Sequence, residues 1–196
     1  MKTILWIAGP VALIAILRPW TVRPIGHAPS AAFDAGTFAA SAWPRLVREA
    51  VQTAADVSAI AAAADGSPAR ARFLKGTGLV SSIDRRSRVG VIRVQLAGVT
   101  PATVAIQIGP VMRGTALRDA SGFIEFSDFT NQSDYAGAAN ALNDYALRTV
   151  IGGLSADALQ GRTITFTGAA AKAPFREDGA IDIVPVQLEL VEAARK

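Results

Sequence analysis

Residues 107–143 carry the side chains with the greatest capacity for chemistry in this chain: Arg113, Arg118, Asp119, Glu125, Asp128, Asn131 and Asn143. Guanidinium forks and carboxamides suit sugars or carboxylates, because they hold planar or hydroxyl-rich groups through paired hydrogen bonds. Asp119, Glu125 and Asp128 could in principle flank a glycosidic bond as acid and nucleophile, although sequence does not give the separation that such chemistry requires. Catalysis is not expected on other grounds. The chain has one histidine, His27, and no cysteine, and no serine stands in a nucleophile-elbow context. Residues 128–134 lack the alternate-residue ligand spacing of a calcium loop, so neither a metal nor a cofactor is expected. Two readings of the cluster stay open. In one, the arginines pair with the neighbouring carboxylates and fix an irregular loop. In the other, Arg113, Arg118, Asp119, Asn131 and Asn143 hold a small ligand or a partner chain.

A strand must deliver this region and a helix must receive it. Residues 103–108 alternate, with Val104, Ile106 and Ile108 expected inside and Gln107 facing out. Gly109-Pro110 then ends the strand, and Gly114 permits a close approach or a positive φ. A short strand piece is expected at residues 123–126. Beyond it a helix from Ser133 or Asp134 to Val150 presents Tyr135, Ala138, Leu142, Tyr145 and Thr149 on one face. Upstream, residues 76–83 and 89–96 read as two strands joined by Asp84-Arg85-Arg86-Ser87-Arg88, a charged turn more simply read as solvated than as a phosphate site. Downstream, strands are expected at residues 163–167 and 181–191. Pro185 cannot donate to a ladder, so the last strand should lie on an edge or carry a bulge there.

Before the strands, Trp43, Leu46, Val47, Ala50, Ala54, Val57 and Ala61 recur at steps of three and four within residues 36–68. They predict an amphipathic helix capped by Ser41, with Pro44 in its first turn and a stop at Asp65-Gly66-Ser67-Pro68. Its dry face needs a partner, and docking through that face would make the protein a structural envelope interaction module.

Among 196 residues, 51% are hydrophobic and 18% charged, which suits one core-forming domain and excludes a disordered chain. Of the net charge of +4, Lys2, Arg18 and Arg23 contribute three units with no acid among them. The remainder is nearly neutral and unsuited to nucleic acid. Residues 3–17 form an apolar or uncharged run covering roughly 22 Å as a helix, short of the roughly 30 Å hydrocarbon core. A signal peptide and an uncleaved anchor both fit. The anchor is preferred, because Arg18 and Arg23 precede any small-residue cleavage site. The division expected is therefore a signal anchor or transmembrane segment at residues 1–20, a linker at 21–35, the amphipathic helix at 36–68 and a β-domain at 69–196.

The resulting class is α+β: an N-terminal membrane helix and an amphipathic helix, then a five-stranded OB-like β-barrel with a helix between strands 3 and 4. A generic α+β sandwich is the alternative. The run Gln107-Ile108-Gly109-Pro110-Val111-Met112-Arg113-Gly114-Thr115-Ala116-Leu117-Arg118-Asp119 is followed by Phe123-Ile124-Glu125-Phe126, Asp128-Phe129-Thr130-Asn131-Gln132 and Asn140-Ala141-Leu142-Asn143. On these residues the chain resembles the predicted periplasmic lipoproteins of domain-of-unknown-function family 2291. That resemblance implies an exported, membrane-attached protein without established activity, often encoded beside sugar ABC transporters. Such lipoproteins receive their lipid on a cysteine, which this sequence lacks, so attachment falls to the apolar segment. The expectation is a periplasmic accessory or binding protein anchored to the inner membrane, whose partners are the membrane, an ABC transporter component or a small sugar-like ligand.

Overall fold

The computed structural model describes residues 33–58, 70–97, 103–172 and 176–191. All of the described residues belong to one compact unit. The expected membrane segment lies outside the described residues, as does Ala61. None of the described helices is long and apolar enough to cross a membrane.

The first helix, α1, spans Ala35–Thr53. Its cap is Asp34 rather than Ser41: the Asp34 carboxylate accepts from the backbone N–H groups of Gly36 and Thr37 at 3.0 and 3.1 Å. Pro44 therefore sits mid-helix. It is tolerated because both it and Ala40, whose carbonyl loses its helical partner, are exposed to water. Within the described residues the expected run to residue 65 is interrupted after Thr53, and helical conformation returns at Val57 and Ser58. Ala55–Asp56 instead form a two-residue strand, β1, in parallel register with Leu74 and Lys75. Tertiary pairing overrides the helical preference of an alanine-rich stretch. The buried face of α1, Ala39, Ala42, Trp43, Leu46 and Ala50, packs within the same compact unit. It is consumed internally, so docking through this face is set aside.

The remaining strands are β2 (Arg72–Asp84), β3 (Val91–Leu96), β4 (Thr103–Gln107), β5 (Thr163–Ala170) and β6 (Ile181–Leu190). Their order is β1-β2-β3-β4-β6-β5, and an added β2–β5 pairing closes β2 to β6 into a barrel. Closure depends on the length of β2, which pairs with β5 over residues 72–79 and with β3 over residues 78–84. The pairing of β4 with β6 is parallel, and the others in the barrel are antiparallel. Alternation points Leu74, Val80, Ile92, Val94, Ile106, Ile164, Phe166 and Ile183 inward.

Pro185 is accommodated by a bulge, as its missing N–H requires. Gly168 pairs with Pro185 while Thr167 pairs with Gln187, so Val186 is the extra residue. The bulge also reverses side-chain parity. Ile181 and Ile183 before it and Leu188 after it belong to the barrel core, whereas Val184 and Val186 face outward. A second core forms there against Phe73, Ala169, Leu46, Leu117 and Leu142.

Between β4 and β5 run a short helix α2 (Ala116–Ala120), a 3-10 turn (Phe126–Asp128) and the longer helix α3 (Gln132–Ala146). The expected strand piece at residues 123–126 is thus absent; Phe126 begins the 3-10 turn instead. Helix α3 is capped by Asn131, whose side-chain oxygen accepts from Asp134 N–H at 2.9 Å. It continues as one π-helical turn at Leu147–Ile151, which extends the expected helix to nearly its expected end.

Candidate functional site

The turn after β4 is built by a close backbone crossing. Gly109 N–H donates to the Val89 carbonyl, and any Cβ at Gly109 would fall on that same carbonyl. Glycine is required there sterically. Gln107, expected to face solvent, does point away from the barrel interior but is buried by this turn, at 2% exposure. Its carboxamide accepts from Arg113 N–H at 2.8 Å and donates to the Arg113 carbonyl at 3.5 Å and to Asp182 at 2.7 Å. Asp182 also accepts from Arg176 at 2.8 Å. One amide therefore clasps both backbone groups of Arg113 and secures them to β6. The Arg113 side chain itself is exposed.

Arg118 has the opposite fate. It is 9% exposed, its guanidinium bonds Asp119 at 2.8 Å and the Tyr135 carbonyl at 3.1 Å, and its Cζ lies 3.7 Å from the centre of the Tyr135 ring. Asp119 accepts in addition from the Thr115 hydroxyl at 2.6 Å. These bonds tie α2 to the first turn of α3, with cation–π attraction added. Asn143, 2% exposed, donates to the Gly114 carbonyl at 2.9 Å. Its Oδ1 is buried without a partner among the described residues. Asn131 is occupied as a helix cap and bonds Asp134 through both of its side-chain atoms.

The structure thus joins Arg118 with Asp119, sets Asn143 under Gly114, and leaves Arg113 and Asn131 in separate roles. Asp128 accepts from Glu125 N–H at 3.0 Å, closing its own turn. Sequence reading missed Gln107, Thr115 and Tyr135 as members of the constellation. For Gln107 the signal was hidden, since an outward polar residue in a strand reads as solvated and its acidic partner lies 75 residues away.

The outer face of β3 and β4 is also occupied. Arg93 pairs with Asp178 of the β5–β6 connection, and Val89, Val91, Ala105 and Ala180 form a small cluster beside it. The Asp178 carboxyl is held below its usual range, first by the Arg93 hydrogen bond and then by Ala180 N–H. Elsewhere a groove of about 450 Å³ opens along β2, β5 and β6 beside β1. A cavity of about 180 Å³ lies between Arg85, Ile108, Gly109 and Leu154.

Comparison with known proteins adds three findings. A family model described as "Predicted periplasmic lipoprotein (DUF2291)" matches residues 11–189. No curated protein matches the chain. An OB-fold protein from Thermotoga maritima, known from a crystal structure, superposes with a TM-score of 0.58 at 15% identity, covering 81% of this chain and 99% of that one. At that identity the likeness concerns the fold: the α+β barrel is an OB barrel.

Proposed function

Since the chain belongs to the predicted periplasmic lipoprotein family DUF2291, we propose that it is a periplasmic accessory protein, held at the inner membrane by its N-terminal segment, that acts by contact rather than catalysis. Its partner on this reading is an acidic surface of a membrane transport component of the sugar ABC class. The family description supports the periplasmic setting. The transporter rests on the family resemblance, and the anchor on residues 3–17 and the lack of any cysteine.

The observation that carries the reading is the Gln107 clasp. An exposed arginine whose backbone is bonded on both sides rises from a fixed root, so docking has to order its side chain but not the loop that carries it. Around it, Arg118, Asp119 and Asp128 are committed to internal bonds, an arrangement suited to a rigid contact surface. The test is detergent copurification of the tagged full-length chain from cells, with a reporter fused at Lys196. A periplasmic reporter and a transport subunit captured by the native chain but lost with Arg113→Glu, at unchanged melting temperature, would bear the proposal out. A cytosolic reporter, or capture indifferent to Arg113, would refute it.

A further inference from the structure

The groove along β2, β5 and β6 belongs to neither the motif turn nor the occupied β3–β4 face. Cross-strand register builds it in rows. Lys75 lies opposite Thr167, and Thr167 opposite Gln187; Thr77 lies opposite Thr165, and Thr165 opposite Glu189. In strand geometry all six point to the outer face of the barrel. The preceding row on that face, Phe73, Ala169 and Val184, is buried in the second core. The polar rows begin where that cover ends, and all six residues are half-buried or exposed.

The chemistry of this wall is specific. Its three threonine hydroxyls each donate and accept, and Gln187 does both through separate atoms. Lys75 only donates, but Asp56 stands opposite it in the β1–β2 register and offsets its charge. Glu189 supplies an acceptor at the far corner. Val57, Phe166 and Leu96 border the groove, but their side chains are buried in the barrel core, so the outer wall itself is polar. A hydroxyl-rich wall of this kind matches a ligand whose own hydroxyls donate and accept. The volume of about 450 Å³ falls within the range of small-molecule sites, roughly 300–1,000 Å³.

We infer that this groove binds a small neutral polyhydroxylated ligand, a monosaccharide or short saccharide, through Thr77, Thr165, Thr167 and Gln187. This goes beyond the partner contact proposed above and uses different residues, so either can fail alone.

The test uses the full-length chain in a non-glycosidic detergent, with saturation-transfer NMR and calorimetry against glucose, galactose, ribose, myo-inositol and maltose. At least one should bind saturably, and Thr165→Val and Thr167→Val should each weaken it about tenfold, the effect of losing one hydrogen bond. Arg113→Ala should leave it unchanged. Valine keeps the strand preference, and Gln187→Leu replaces either variant whose melting transition is lost. Absence of binding by all five compounds overturns the inference, as does affinity unchanged in the threonine and glutamine variants or abolished by Arg113→Ala. Copurification of a transport subunit reports on the other reading independently.

Discussion

Arg118 tests how much of the motif is structural. It is nearly buried, yet every contact it makes is internal: Asp119, the Tyr135 carbonyl and the Tyr135 ring. Replacing it with methionine keeps the apolar stem and removes both the charge and the hydrogen bonds, leaving Asp119 and the Tyr135 carbonyl short of a donor. A fully buried pair broken in this way costs about 3–5 kcal/mol. The Asp119 side chain is 37% exposed, so water recovers part of the loss, and about 2 kcal/mol is expected. The urea midpoint of Arg118→Met against the native chain measures it. A midpoint unmoved by the change would mean that the guanidinium serves something other than the fold. At this scale sequence was a partial guide. The pairing of arginine with a nearby carboxylate was legible, since Arg118 and Asp119 are neighbours. The clasp of Gln107 was not, because burial of an outward-facing strand residue depends on a turn that folds back over it.

Elements were legible where periodicity was long and local, as in β2, β3, β6 and α3. They were misread where distant partners decide. Residues 55–56 join a sheet because β2 offers an open edge at Leu74 and Lys75, and the helix start moved to Asp34 because its carboxylate finds three donors at once. That cap makes a pH prediction. The Asp34 carboxyl is held below its usual range by the Thr37 hydroxyl first and by backbone N–H groups after it. A depressed folded-state pKa contributes stability that is present above the ordinary carboxylate value and is lost as pH falls through the folded one. Melting temperature should therefore hold steady from neutral to about pH 5 and fall below about pH 4. Asp34→Asn keeps a good cap and should show a shallower decline, with Asp178 accounting for part of the remainder. An identical decline in the variant would remove Asp34 from the explanation. The β6 bulge gives a second prediction at this scale. A Cβ on Gly168 would meet the Ile183 side chain, and the Val184 carbonyl at 2.6 Å. The carbonyl is backbone in a paired strand and cannot swing away, so Gly168→Ala should cost about 2–3 kcal/mol, read by the same urea midpoint. A neutral result would show that the bulge is soft.

For the whole molecule, strand order and the position of α3 between β4 and β5 were readable, because an OB barrel is written as three strands, a helix and two strands. A barrel was expected from that order, but the pairings that close it were not readable, since β2–β5 and β4–β6 join segments far apart in the chain. Architecture of this kind often binds nucleic acid, which makes it useful to ask whether this barrel does. Single strands need bases stacked on aromatic rings and a basic groove for the phosphates. Among the described strands the aromatic residues are Phe73 and Phe166, at 2% and 3% exposure, and both are spent on packing. On the β3–β4 face, Arg93 is paired with Asp178, and Arg176 beside it with Asp182. The basic β2–β3 turn is itself partly neutralised, because Arg86 is held by Asp84 and Arg85 by Asp157. The net positive charge of the sequence lies mostly in its first 25 residues, and the rest of the chain is nearly neutral. Fluorescence anisotropy with labelled oligo-dT and oligo-U at low salt should therefore show no saturable binding. A titration that saturates, and whose affinity falls with added salt along the slope of several phosphate contacts, would mean that one of these ion pairs opens to receive the strand, and Arg93→Ala would then identify it.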